Sequence, residues 1–437
     1  MTSVVIAIVA ILVVAQMILP RGLAFLPLVI AAAHLGDIEI LPELTPARTL
    51  ILAGFARACF SGYFKGYVLT RLDRVFVFFS VFALISAFGN PPDLYFPSPF
   101  ASRLGLILNI VGTYLYGRIY LPDLNAFMKY ACMIPVILAP LALGMISEQA
   151  SRKNVYYPLG GRSPESLVRE GKVRAQGPFD HAILAGTCGA TALPFAFLLW
   201  KRGRKGLAIA TVVVCMNIVL TSASSGPLAA VAVSFVVVFM WKWREHLKLL
   251  LYGGVALAFF YTVTRGRGPW FLMASLDLVG GSTGWHRAEL IDQAYKNLGE
   301  WWLFGTNYTR HWMASGVRWN PNMVDLTNYY IHLGVTGGLG LTLSLIAIIW
   351  VGFSMLRVRM NELRAAGDPD EIVIWCAGGL LATHAMGFVS ISYFDQMYVF
   401  FYILVGAIPG LVASRSAQEA EAEEGAFDEQ GWSTARA

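Results

Sequence analysis

Residues able to bind an anion and to move a proton lie together around the start of the apolar stretch 179–200. Arg174 and His181 flank a Gly177-Pro178 turn there. Arginine offers a planar fork of donors to phosphate oxygens, and histidine can exchange a proton near neutral pH. The pattern therefore predicts an anion contact from Arg174 and proton transfer by His181. The alternative is an ordinary helix start, with Pro178 in its first turn.

A second group of cationic residues lies in the long segment 265–325. It contains five arginines, of which four are candidate ligand-binding residues: Arg265, Arg267, Arg287 and Arg310. Several guanidinium groups in one segment favour a grip on pyrophosphate. Arg287 belongs to the stretch 285–295, whose pattern is typical of an amphipathic helix that ends near Gly299. The alternative is a helix that only lies on a membrane surface, anchored by nearby tryptophans.

Two shorter segments also carry candidate residues. The turn 224–227 (Ser-Ser-Gly-Pro) could present backbone N–H groups to a phosphate at a helix N-terminus, although such residues more often only build a tight hairpin. The segment 325–332 leads into a glycine-rich span, along which helices can approach closely. His34 and His384 lie in or at the end of apolar stretches, where each could have a function or only bond a neighbouring helix.

The sequence lacks the motifs of several common enzyme chemistries. It contains no P-loop, HExxH, GxSxG, paired CxxC or aspartate-rich metal motif, so we expect no nucleotide hydrolysis, no metal and no other cofactor. The five cysteines fall in apolar stretches without paired loop spacing. They are typical of small buried hydrophobic residues rather than of disulfides or metal ligands.

The composition predicts the elements that position these residues. Of 437 residues, 57% are hydrophobic and 14% are charged, whereas soluble domains are about 45–50% apolar and about 25% charged. This excludes a disordered chain, a secreted disulfide scaffold and an ordinary cytosolic enzyme. The net charge of +6 sits in short clusters between apolar runs, which favours an oriented membrane protein over a nucleic-acid binder. We predict one all-α transmembrane domain over 1–413 and a disordered acidic tail over 414–437.

Apolar stretches of roughly 20 residues predict a bundle of about 12–13 membrane-spanning helices. The predicted spans are 3–19, 22–36, 47–64, 74–89, 104–120, 126–147, 179–200, 206–222, 225–242, 247–264, 327–355, 371–390 and 395–413. Basic clusters at 201–205, 242–248 and 357–364 occupy alternate loops, which predicts that they are cytoplasmic. The long segments 147–178 and 265–325 then lie on the periplasmic face of a bacterial inner membrane, the second with short helices.

The arrangement resembles the O-antigen ligase and polysaccharide polymerase superfamily over residues 130–410. The shared features are about a dozen spans, a large late loop with an arginine-led helix, and an Asn-Tyr-Tyr start to a glycine-rich span. The stretches 174–181 and 224–227 are similar to segments of the exopolysaccharide-polymerase branch. Arg287, followed by Trp-Leu-Phe-Gly at 302–305, is similar to the family's loop helix and its terminal turn.

The resemblance implies glycosyl transfer on the periplasmic face without a cofactor. The donor would be a sugar chain linked through pyrophosphate to a polyprenyl lipid, and the acceptor would be another lipid-linked repeat unit. Membrane lipid and other polysaccharide export proteins are the further partners implied. The resemblance implies that arginines stabilise the leaving pyrophosphate and that a histidine acts as the base. The implied catalytic residues are Arg174, His181, Arg287 and His332. The implied substrate-binding residues are Arg265, Arg267, Arg310, Asn328 and Tyr329.

Two alternatives to a polymerase stay open from the sequence. One is ligase-type transfer of the glycan to a different acceptor. Ligases of the superfamily usually carry a His-Asn pair where this chain has Thr327-Asn328, and the nearest histidine, His332, is about one helical turn further on, which favours the polymerase. The other is a flippase for lipid-linked oligosaccharides. A transporter typically shows internal repeats with matching broken helices, and the two halves of this sequence show no such similarity.

Overall fold

A computed structural model describes residues 2–413 apart from 42, 90, 91, 93, 95, 96, 170, 276–282, 318 and 319. The described chain is predominantly helical, as the sequence predicts. Five of its helical segments are long and apolar enough to cross a membrane: Leu124–Ser151, Ala182–Lys201, Ser225–Arg265, Leu339–Ala365 and Glu371–Ser390. The predicted disordered tail, 414–437, lies outside the described residues.

The helices follow the apolar stretches of the sequence. Those of the first half are α1 (Thr2–Ile18), α2 (Leu26–His34), α3 (Pro46–Phe60), α4 (Arg71–Ser86), α5 (Pro99–Ile107), α6 (Thr113–Tyr120), α7 (Leu124–Ser151), α8 (Ala182–Ala192) and α9 (Pro194–Lys201). Those of the second half are α10 (Lys205–Thr221), α11 (Ser225–Met240), α12 (Leu247–Arg265), α13 (Leu272–Ser275), α14 (Thr283–Lys296), α15 (Leu298–Trp301), α16 (Tyr329–Gly337), α17 (Leu339–Ala365), α18 (Glu371–Ser390) and α19 (Tyr398–Val412). A π-helical turn, Leu108–Gly112, joins α5 to α6.

Two of the predicted spans are broken where the sequence places special residues. Helices α8 and α9 meet at Pro194, which lacks the N–H that a continuous helix needs. Helices α16 and α17 meet at Gly338, where φ is +93°. A Cβ on Gly338 would lie 2.2 Å from the carbonyl oxygen of Leu303, so the loop containing Leu303 packs against backbone that only glycine can provide.

A short antiparallel hairpin is a departure from the all-α prediction. Strand β1 (Leu167–Arg169) pairs with β2 (Lys172–Arg174), and Leu167 stands opposite Arg174. Gly171 turns the chain between them with φ of +75°. The hairpin ends at Arg174 and thereby positions this candidate residue.

Ion pairs gather three of the predicted basic loops at one end of the helical body, which we call the basic end. Arg202 pairs with Asp370. Nε of Arg244 and Nε of Arg364 lie 2.8 and 2.7 Å from the same carboxylate oxygen of Glu371. Loops that the charge pattern assigns to one side of a membrane are therefore in contact with one another.

Hydrogen bonds gather a second set of loops, which we call the site end. The loop after α7 contacts the turn between α10 and α11 through Arg174 and Ser224. The same loop contacts the connection between α18 and α19 through Asp180 and Asp395. Helices α10, α11 and α18 each connect a basic loop with a loop of this second set, so the two sets lie at opposite ends of these helices.

Candidate functional site

Arg174, the last residue of β2, is buried and has one donor without a partner. It is 8% exposed, and its Nη2 donates to Oγ of Ser224 at 2.7 Å. Its Nε is buried and has no hydrogen-bond partner among the described residues. Burial lowers the pKa of Arg174, and the neighbouring Arg169 lowers it further, but arginine stays protonated in proteins. Because a buried cation with an unused donor is costly, Nε of Arg174 is a candidate donor to an anion.

The turn that Arg174 contacts lies between α10 and α11 and is fixed by its own hydrogen bonds. The carbonyl oxygen of Thr221 accepts from the N–H of Ala175 at 3.1 Å. The hydroxyl of Ser224 donates to the carbonyl oxygen of Ser222 at 2.8 Å, and its oxygen accepts from Arg174. Ser224 therefore does not cap α11 with its side chain. The positive end of the α11 dipole lies next to a buried guanidinium, an arrangement that attracts anions.

Arg287 reaches the start of α11 from α14. Its Nε donates to the carbonyl oxygen of Ser390 at 3.3 Å. A Cβ built on Gly226 would lie 3.1 Å from Nη2 of Arg287 and 3.0 Å from Cβ of Ser390. The guanidinium of Arg287 thus packs against the first turn of α11, two residues along the chain from Ser224. Arg174 and Arg287, which the sequence places in separate segments, approach the same helix N-terminus.

His181 is the N-cap of α8 and lies just outside the helix. Its Nδ1 accepts from the N–H of Ile183 at 3.1 Å. Burial lowers the pKa of His181 to about 4, and the positive charges of Arg174 and Arg169 contribute, so the ring is neutral at pH 7. With Nδ1 accepting, the single ring proton of the neutral form resides on Nε2. The geometry therefore presents His181 as a hydrogen-bond donor rather than as a base.

Asn328, Tyr329 and His332 lie at the start of α16. Oδ1 of Asn328 accepts from the N–H of Ile331 at 3.2 Å and caps the helix. Tyr329 is buried, and its hydroxyl lies 3.2 Å from that of Tyr402. The ring of His332 lies parallel to that of Tyr329, with centroids 6.3 Å apart. Within the described chain no hydrogen bond joins these three residues to Arg174, and their substrate and catalytic roles stay predictions.

The other three arginines of the predicted pyrophosphate grip have different surroundings. Arg310 donates from Nη1 to the carbonyl oxygen of Met313 at 2.7 Å and from Nη2 to that of Ala314 at 2.9 Å. It therefore closes its own loop. Arg267 lies over the ring of Phe271, 5.7 Å from its centroid, and Arg265 ends α12. The described structure shows only Arg287 of the four in contact with the start of α11.

His34 and His384 both have hydrogen-bond partners on neighbouring parts of the chain. Nε2 of His34 lies 2.8 Å from the carbonyl oxygen of Ile137 in α7. Nδ1 of His384 lies 3.0 Å from the hydroxyl of Tyr393. These contacts support the packing alternative for both.

Sequence reasoning missed several residues of this site. Arg169 lies in β1 and acts on the pKa of both Arg174 and His181. The repeated Val-Arg pairs on either side of Gly171 are a signal for the hairpin that could have found it. Glu148 and Asp395 hold the backbone that follows Arg174. No local pattern identifies them, because they approach through long-range packing.

Comparison with known proteins does not identify this site. No model of a known protein family matches the chain, and neither does any curated protein. Within the described residues, no group of three or more His, Cys, Asp or Glu side chains is arranged to hold a metal ion.

Proposed function

We propose that the protein is a polysaccharide polymerase. It would join polyprenyl-pyrophosphate-linked oligosaccharide units on the periplasmic face of a bacterial inner membrane. The observation that carries the proposal is the buried, unsatisfied Nε of Arg174 beside the N-terminus of α11. Arg287 lies against the same turn. Two guanidinium groups and a helix N-terminus together match the charge of a pyrophosphate.

The reaction in this proposal is a substitution at the anomeric carbon of the donor sugar. A hydroxyl oxygen of the acceptor unit forms a bond to that carbon, while the bond from the carbon to the pyrophosphate oxygen breaks. The pyrophosphate leaves with the electron pair and remains attached to its polyprenyl lipid. Negative charge grows on the leaving group, where Arg174, Arg287 and the Nε2–H of His181 would stabilise it.

The acceptor hydroxyl must also lose its proton to a base. His181 and His332 are the two histidines that the sequence suggests for this role. Because Nδ1 of His181 accepts a backbone hydrogen bond, the proposal assigns His181 to the leaving group and leaves the base to His332.

The membrane setting of the proposal is a bundle of about 12–13 spans in which shorter apolar helices accompany the five long ones. The site end would face the periplasm and the basic end the cytoplasm. Support comes from the contacts among the basic loops through Arg202, Arg244 and Arg364, since basic loops stay in the cytoplasm. A lipid-linked donor would then reach Arg174 and Arg287 without leaving the bilayer.

The test uses purified protein in lipid nanodiscs with polyprenyl-pyrophosphate-linked repeat units from the native host and EDTA. We expect a ladder of longer lipid-linked chains on a gel. The ladder should be lost in Arg287→Ala and kept in Arg204→Ala, an exposed arginine at the basic end.

Other products would contradict the polymerase. Transfer of the glycan to a different lipid acceptor without elongation would indicate a ligase. Movement of the lipid-linked unit across the bilayer with no new glycosidic bond would indicate a transporter. An unchanged ladder in Arg287→Ala would refute the role of Arg287.

A further inference from the structure

The segment 175–181 connects Arg174 to His181 and is buried over most of its length. Residues 174–179 are all buried. Polar backbone groups without water need partners inside the protein. The partners of this segment come from four other parts of the chain: Glu148, Asn154, Thr221 and the pair Asp395 and Gln396. Two of these partners are the side chains of fully buried acidic residues.

Glu148, near the end of α7, is the first of these acidic residues and is 0% exposed. Its Oε1 accepts from the N–H of Gln176 at 3.1 Å, and its Oε2 accepts from the N–H of Gly177 at 2.8 Å. The hydroxyl of Ser166 donates to Oε1 at 2.9 Å. Burial raises the pKa of Glu148, and these three hydrogen bonds oppose that shift.

Asp395, between α18 and α19, is the second acidic residue and is also 0% exposed. Burial raises the pKa of Asp395 to about 8, and the nearby Asp180 and Asp37 contribute. Its Oδ2 accepts from the N–H of Asp180 at 3.1 Å. Its Oδ1 accepts from the N–H of Met397 at 2.9 Å. The next residue, Gln396, donates from Nε2 to the carbonyl oxygen of Pro178 at 3.2 Å. The connection between α18 and α19 thereby holds the end of the segment that leads into His181.

We infer that Glu148 and Asp395 are positioning residues that fix the distance and orientation between Arg174 and His181. The two carboxyl groups hold N–H groups at 176, 177 and 180 of the segment. A buried acidic group is a costly way to stabilise a fold, and apolar packing of similar volume does so at least as well. Buried acceptors that bond the backbone between Arg174 and His181 instead fix the geometry of that backbone. A misplacement of a catalytic side chain by about 1 Å can lower the rate about a hundredfold. The effect on turnover rests on the proposed function, whereas the effect on the backbone does not.

The test compares wild type with Glu148→Gln and Asp395→Asn in nanodiscs. Each substitution keeps the shape of the side chain but replaces one accepting oxygen with an NH₂ group, which leaves at least one backbone N–H unsatisfied. Amide hydrogen exchange should become about tenfold faster or more in the peptide covering 175–181, while peptides from α14 and the basic end exchange as before. With lipid-linked substrate, kcat should fall about tenfold or more, while KM for the acceptor changes less than about threefold. Glu165→Gln, an exposed glutamate in the same loop, is the matched control and should match wild type in both measurements.

The outcomes separate this inference from the proposed function. Unchanged exchange at 175–181 would overturn it, and so would faster exchange across the whole protein, which would mean that the two acidic residues only stabilise the fold. Faster local exchange with unchanged kcat would also overturn it. If wild type makes no polymer at all, the polymerase proposal fails, but faster local exchange together with weaker binding of a polyprenyl pyrophosphate would still support positioning.

Discussion

Replacing Gly226 by alanine perturbs the contact between Arg287 and the start of α11. The added Cβ would lie 3.1 Å from Nη2 of Arg287 and 3.0 Å from Cβ of Ser390, whereas unstrained contacts lie at about 3.5–4.0 Å. The guanidinium must therefore move by about 0.5 Å. Since a misplacement of about 1 Å can cost about a hundredfold in rate, we expect kcat/KM for polymer formation to fall about tenfold.

Stability separates this prediction from a folding defect. Gly226 lies in the first turn of α11, and alanine favours a helix over glycine by up to about 1 kcal/mol. The thermal midpoint should therefore hardly change. The matched control is Gly253→Ala in α12, where an added Cβ meets nothing within 4 Å, and its turnover should equal that of wild type. Equal turnover of Gly226→Ala and Gly253→Ala, or a loss of turnover that only follows a lower thermal midpoint, would refute the proposed packing of Arg287.

Two further predictions concern Arg174 and His181. Arg174→Lys keeps the charge but loses the fork that bonds Ser224, so kcat/KM should fall about tenfold to a hundredfold. The control is Arg162→Lys, whose pair with Asp180 is exposed and which should change kcat/KM less than about threefold. Equal effects in the two variants would contradict the assignment of Arg174. For His181, the pKa is lowered to about 4 in the folded protein from an ordinary value of 6.5. As pH falls from 7 towards 4 the unfolded chain therefore gains a proton that the folded protein does not, and stability falls. His181→Asn, which can still cap α8, should show a smaller fall in thermal midpoint over this range, and parallel curves would show that His181 is not responsible.

The long apolar helices could be predicted from the sequence, but the breaks within them only in part. Pro194 marks the break between α8 and α9 by its own chemistry. The break at Gly338 depends on the carbonyl oxygen of Leu303 lying 2.2 Å from where a Cβ would be. A glycine-rich stretch indicates close packing, but not which neighbour approaches. The hairpin from Leu167 to Arg174 has strands of three residues each, which are too short for a periodic pattern, so its signal is limited to the repeated Val-Arg pairs around Gly171.

The candidate site was predictable as a set of residue types but not as an arrangement. Charge counting in the segment 265–325 treats its arginines alike. In the structure Arg310 bonds the carbonyl oxygens of its own loop, while Arg287 packs against Gly226. That difference depends on which backbone lies within reach of each side chain. Likewise, the composition around His181 suggests proton transfer, and only its bond from the N–H of Ile183 reveals which ring nitrogen carries the proton.

The central claim is that a pyrophosphate binds between Arg174 and Arg287 at the start of α11. The most direct measurement is a cryo-EM structure in nanodiscs with a polyprenyl pyrophosphate bound. The account predicts diphosphate density within about 3 Å of Nε of Arg174 and of the guanidinium of Arg287. Density at Arg265, Arg267 or Arg310 instead, or an Nε of Arg174 that stays without an anion at saturating lipid, would contradict it.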